Sequence, residues 1–225
     1  MLNNQKNLKS GFSIFKTLIV IIIIYFAWNY YEENYLYKNT PKYVVEFKNA
    51  IKEFTGQKDT VKKAYKEAIE AQEEAKKVNY VFKNEKTKTF ISKWKEAEKE
   101  VDTLREKYST YKNETENFLD GLDDKLDQIK NDKILKTKMK KFSKERAIKM
   151  ASNIVKMDKN LDKLEISITK GNNLIIALET VSSFNELAQD IKDFDILLDS
   201  SSEIFTEIDS LIIEGTSVLD KELKE

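Results

Sequence analysis

The sequence predicts an all-α protein: a single N-terminal transmembrane helix followed by an elongated antiparallel bundle of four coiled-coil-like helices. Three observations carry that expectation. Residues 12–31 read FSIFKTLIVIIIIYFAWNYY, with no charge from Thr17 to Tyr31. The chain has 225 residues, 35% of them charged, with only 5 Gly and 1 Pro, and Gly and Pro are the residues most costly inside a helix. Apolar residues also recur at alternating steps of four and three, the heptad signature of packed helices.

Residues 1–11 form a short basic N-terminus and residues 12–31 a signal anchor. Its apolar heart is Leu18, Ile19, Val20, Ile21, Ile22, Ile23, Ile24, Phe26 and Trp28. A helix needs about 20 residues to cross a bilayer. The segment reaches that length if Lys16 snorkels to the headgroups. A cleaved signal peptide calls for small residues at the cleavage site, and Ala27-Trp28-Asn29 offers one. A lipoprotein needs a cysteine, and the chain has none. Trp28, Tyr30 and Tyr31 suit the membrane interface, and Lys6, Lys9 and Lys16 lie on the side that the positive-inside rule assigns to the cytoplasm. The expectation is therefore a single-pass membrane protein with a cytoplasmic N-terminus and a periplasmic or extracellular body.

Residues 32–40 read as a juxtamembrane linker and 41–225 as the body. Thr40 and Pro41 suit a helix start, as N-cap and first helical residue. Val44, Phe47, Ile51 and Phe54 begin a stripe that Val61, Tyr65, Ala68, Gln72, Ala75 and Phe82 continue, with Gly56 as a candidate kink or end. The polar residues 84–89 predict the first turn. Phe90, Trp94, Ala97, Val101, Leu104, Tyr108, Tyr111, Thr115, Phe118 and Leu122 then form the cleanest seam. Asn131-Asp132 predicts the second turn. A third seam runs Ala147, Met150, Ile154, Met157, Leu161, Leu164 and Ile168. Gly171-Asn172-Asn173 predicts its end, since Gly suits the residue after a helix and Asn the next N-cap. The last seam is Phe184, Leu187, Ile191, Phe194, Leu198, Phe205, Ile208, Ile212 and Leu219, interrupted at Ser201 and Gly215.

The predicted helices span 41–84, 88–130, 133–170 and 173–222. Helices of similar length joined by short turns stack antiparallel, up-down-up-down. The competing arrangement is a rod with one continuous helix over 57–131.

Lys and Arg balance Asp and Glu at 39 each, so no global field argues for nucleic acid. The balance is local, however. Residues 133–170 hold 12 basic and 4 acidic side chains, and residues 173–225 hold 3 basic and 13 acidic. Such complementarity predicts that the last two helices pair by charge. The densest part is Lys133, Lys136, Lys138, Lys140, Lys141, Lys144, Arg146 and Lys149, opposed by Glu145. It is a candidate contact for an anionic surface, a membrane or an envelope polymer, because basic residues are drawn to anionic headgroups.

Catalytic and metal chemistry has little to stand on. Absent His and Cys remove the usual general base, thiol nucleophile and commonest metal ligands. There is no phosphate-binding Gly loop and no nucleophile elbow. Asp120, Asp123, Asp124 and Asp127 fall on a helix, whereas Ca²⁺ loops gather carboxylates around a Gly turn. The expectation is a non-catalytic, membrane-anchored protein with a structural or protein- and envelope-interaction role. It has no cofactor or metal, its partners are membrane lipid and another protein or itself, and it takes no nucleic acid or small-molecule substrate. The competing expectation is a ligand-binding accessory subunit of a membrane complex, with its pocket between the helices.

Overall fold

The computed structural model describes residues 40–130, 132–180 and 187–220. The anchor segment 12–31 lies outside them. Among the described residues no helix is long and apolar enough to cross a membrane, and no strand occurs. The chain divides into a unit up to Val45 and a body from Glu46. The described residues form four helices: α1 Lys42–Lys76, α2 Glu85–Asp127, α3 Lys133–Thr180 and α4 Ala188–Asp220. Pro41 stands immediately before α1, and its carbonyl accepts from the Val44 and Val45 N–H groups at 3.0 and 3.3 Å. The proline therefore sits one residue earlier, relative to the helix, than expected.

Within the body the four helices run up-down-up-down around one core. Phe47 of α1 stacks on Phe118 near the end of α2, at 4.8 Å between ring centroids. The Tyr108 hydroxyl of α2 donates to the Ile154 carbonyl of α3 at 2.9 Å. Lys163 of α3 lies 3.8 Å from Glu207 of α4, and Tyr65 of α1 meets Phe205 of α4 edge to face at 5.7 Å. Sequence neighbours are thus neighbours in space, and α4 closes the ring on α1.

The turn between α1 and α2 excludes a continuous helix over 57–131 and precedes the expected polar residues. Tyr80 N–H donates to the Ala75 carbonyl and Asn79 N–H to that of Lys76, at 3.0 and 2.9 Å. This is the Schellman pattern, with Asn79 as the left-handed residue at φ 50°. Tyr80 follows at φ 51°, and its buried ring packs against Phe90 at 6.0 Å. Asn84 then caps α2, its side chain accepting from Lys86 N–H at 2.9 Å. The expected turn at 84–89 is therefore already helix. α3 begins where expected, after Asp132, which caps it by accepting the Leu135 N–H at 2.8 Å; Asn131 lies outside the described residues.

The seams run longer and more regularly than the apolar residues alone suggest. In α1 an unbroken four–three alternation of buried residues runs Phe47, Ile51, Phe54, Lys58, Val61, Tyr65, Ala68, Gln72 and Ala75, with Ala50 and Ala64 buried beside it. Gly56 lies on the outer face and does not end the helix. In α2 the expected seam is buried from Phe90 to Phe118 and begins one step earlier, at Thr87.

The largest correction concerns α3. It does not stop at Gly171 but continues to Thr180. Its central seam is Arg146, Met150, Asn153, Met157, Asn160, Leu164, Ser167, Gly171, Leu174 and Leu178, all buried. Gly171 is the notch that receives Trp94: a Cβ placed there would overlap the indole ring. In α4, Ser201 and Gly215 likewise fill seam positions instead of interrupting the seam. The Ser201 hydroxyl is satisfied by the Leu198 carbonyl at 2.6 Å, and Gly215 leaves room for the Tyr111 hydroxyl, 3.2 Å from where a Cβ would be.

Candidate functional site

The basic residues at the start of α3 share one end of the body with its first α1 residues and the end of α2, because α1 and α3 run the same way. Their surroundings divide them into two groups. Lys136 and Lys140 bind Asp127 of α2 at 3.1 and 2.9 Å. That pairing holds the Asp127 carboxyl below its usual range and raises the Lys140 ammonium. Arg146 is buried at a seam position with its guanidinium 4.0 Å above the Phe142 ring, a cation–π contact. These three serve the joint between helices. Lys133, Lys138, Lys141, Lys144 and Lys149 are exposed, with Lys141 4.0 Å from Glu145 one turn on.

Apolar residues lie among those lysines, a feature that charge counting alone passes over. Ile134 is 73% exposed and Ile148 63%, and Leu135, Met139 and Phe142 are exposed as well. Ile134 and Ile148 share the outward heptad position of the exposed Val155, whereas Leu135 and Phe142 owe their exposure to the register of α3 against α4. Lys163 faces Glu207, and Lys156 and Glu214 line one groove. On that register Asp220, the last described residue of α4, is level with about Met150. Leu135 and Phe142 occupy the heptad position that Lys156 and Lys163 hold farther along, on the side turned to α4. Below Met150 no described part of α4 covers that side. The acidic group on α2 is tied to the same place: Asp123 accepts from the Ser143 hydroxyl at 2.9 Å, beside the Asp127 pairs.

The charge complementarity of the last two helices is used more widely than expected. Glu207 reaches Lys163 of α3, but Asp195 binds Lys76 of α1 at 2.9 Å and also accepts from Gln72 at 2.7 Å. Asp209 binds the buried Lys58 and approaches Lys62 at 3.8 Å, both on α1. Burial pulls the Lys58 ammonium down, while Asp209 and Asp59 more than offset this and leave it above the usual lysine range.

Two grooves lie between α3 and α4 among the described residues. One, of about 370 Å³, has Lys156, Lys159, Asn160 and Lys163 on one wall and Glu207 and Glu214 on the other. A second, of about 280 Å³, adjoins it beside Ile166 and Leu197. The aromatic seam residues Trp94, Tyr108, Tyr111 and Phe118 pack against one another and their neighbours in the core. Among the described residues no group of His, Cys, Asp or Glu is arranged to hold a metal ion. No family model, curated protein or solved structure matches the chain.

Proposed function

We infer that the chain is a membrane-anchored helical-bundle protein whose body works outside the cytoplasm as a structural or interaction element and not as a catalyst. The observation that carries this reading is the uncharged run from Thr17 to Tyr31, basic before and acidic after, in front of a body whose interior is filled by its own side chains. Phe47, Phe54, Phe90, Trp94, Phe118 and Phe194 are all fully buried. Such a filled core leaves the outer faces as the working surface, and supports partner contact over a ligand held between the helices.

Alkaline carbonate extraction of membranes from expressing cells tests the anchor. The full chain is expected in the pellet, and a variant with Ile21→Lys and Ile23→Lys in the supernatant, because a charge at the bilayer centre costs about 3 kcal/mol on insertion scales. Protease added to intact cells is expected to cut the body. Release of the unaltered chain by carbonate, or protection of the body in intact cells, overturns the reading.

A further inference from the structure

We propose that the start of α3, residues 133–149, is a second membrane contact: a lysine-rich segment with exposed apolar side chains that touches an anionic lipid surface. The proposal deepens the anchored reading by naming what the lower end of the body touches, and it rests on that reading.

Charge and apolarity occur together on this segment. It carries eight basic side chains against one acidic residue, Glu145. Two of the basic groups are engaged by Asp127, and Arg146 is buried over Phe142. Lys133, Lys138, Lys141, Lys144 and Lys149 still point outward. Among them stand Ile134 and Phe142, 73% and 43% exposed. Exposed apolar residues farther along α3 and on α4, such as Val155, Ile166 and Ile213, stand singly, whereas Ile134, Leu135, Met139, Phe142 and Ile148 crowd into this one segment. A protein-binding groove gains nothing from so many like charges unless the partner is acidic. Exposed lysines beside large apolar side chains suit contact with an anionic bilayer surface, where ammonium groups sit among the phosphates and nearby apolar groups reach the acyl boundary.

Position agrees with composition. Phe47 stacks on Phe118, so the start of the body in α1 lies at the same end as the α2–α3 turn. The anchor segment precedes that start in sequence by a short stretch. The side of α3 that bears Leu135 and Phe142 is the one that borders α4 farther along, and no described part of α4 reaches it here. The charge on the segment selects anionic over zwitterionic lipid. Each lysine near such a surface multiplies partitioning about five-fold at physiological salt, and the effect shrinks as salt screens it.

The chain has no cysteine, so a single one can be introduced and labelled. The full chain carrying Ile134→Cys is labelled with an environment-sensitive nitrobenzoxadiazole and reconstituted in liposomes of phosphatidylcholine, with or without phosphatidylglycerol. Ile213→Cys on α4, 67% exposed, is the control. At position 134 we expect a blue shift and quenching by spin-labelled lipid in the anionic liposomes only, with neither at position 213. Replacing Lys138, Lys141, Lys144 and Lys149 together by Gln should cut that shift at least about two-fold. Circular dichroism confirms that the variants, all at exposed positions, keep their helix content.

A label at 134 that stays in water in anionic liposomes overturns the proposal. So does a shift that is equal in zwitterionic liposomes and grows with protein per vesicle, which assigns the face to a second copy of the chain. Failure of the anchor is separately visible. A chain that carbonate releases but whose position 134 still reports anionic lipid keeps this proposal and loses the anchor. A chain that resists carbonate while position 134 stays wet does the reverse.

Discussion

Gly171 and Gly56 both lie within helices, yet replacing each by Ala is expected to act in opposite directions. At Gly56 a Cβ would meet nothing within 4 Å, so Gly56→Ala gains the helix propensity of Ala, about 0.5–1 kcal/mol. At Gly171 the added methyl would overlap the Trp94 ring. The indole must then leave its place, and with it the hydrogen bond from Nε1 to the Asn172 side chain at 3.2 Å. Overpacking costs about 1–3 kcal/mol, so Gly171→Ala is expected to be a net loss of that order despite better propensity. Urea denaturation of both variants measures this, and a Gly171→Ala protein as stable as the parent sinks the notch account. Asn172 adds a second hold on the ring. Its amide also donates to Glu98 at 2.6 Å, which fixes the oxygen toward the indole.

At the scale of the element, α3 shows what the sequence makes legible and what it hides. A heptad search counts apolar residues, and the α3 seam includes Asn153, Asn160, Ser167 and Gly171. Skipping them shifts the phase to Ile154, Leu161 and Ile168 and makes Gly171 look like an end. The α2 seam has Thr115 as its one polar member from Phe90 to Phe118, and there the apolar spacing alone suffices. The α1–α2 turn is hard to place for a related reason. Its signal is Asn79 at a left-handed position, a weaker mark than glycine, and a polar run just downstream outweighs it. Asn79→Gly should leave stability unchanged or slightly raised, whereas Asn79→Ala should lose about 1 kcal/mol to left-handed strain. Thermal melts of the pair check this. Equal melting temperatures for the two variants would remove the strain argument.

On the scale of the whole molecule, the core makes stability sensitive to alkali. Burial raises the hydroxyl pKa of Tyr65, Tyr80, Tyr108 and Tyr111, with Asp158 adding to the rise at Tyr108. An unfolded tyrosine ionises near pH ~10. The folded chain holds these protons longer, so their contribution is full below that value and lost as pH rises through the folded values. Lys58, also raised, acts in the same direction. Melting temperature should therefore fall steeply above about pH 10, with a slope of at most ~1.4 kcal/mol per pH unit for each tyrosine. Tyr108→Phe should flatten that fall while costing about 1 kcal/mol at neutral pH for the bond to Ile154. A pH series of melts that stays level above pH ~10 contradicts this. The lysines of the candidate site are legible in the sequence as a charge run. Their division into Asp127-bound, Phe142-stacked and exposed groups is not, since it depends on the register of α3 against α2 and α4. Trp94 draws a last consequence from the same geometry. Its ring meets Tyr65 of α1 at 5.7 Å, Phe194 of α4 at 4.8 Å and the Gly171 notch of α3. This indole is not fully desolvated until all four helices are in place, so its burial is a reporter of the complete bundle and not of any one helix pair.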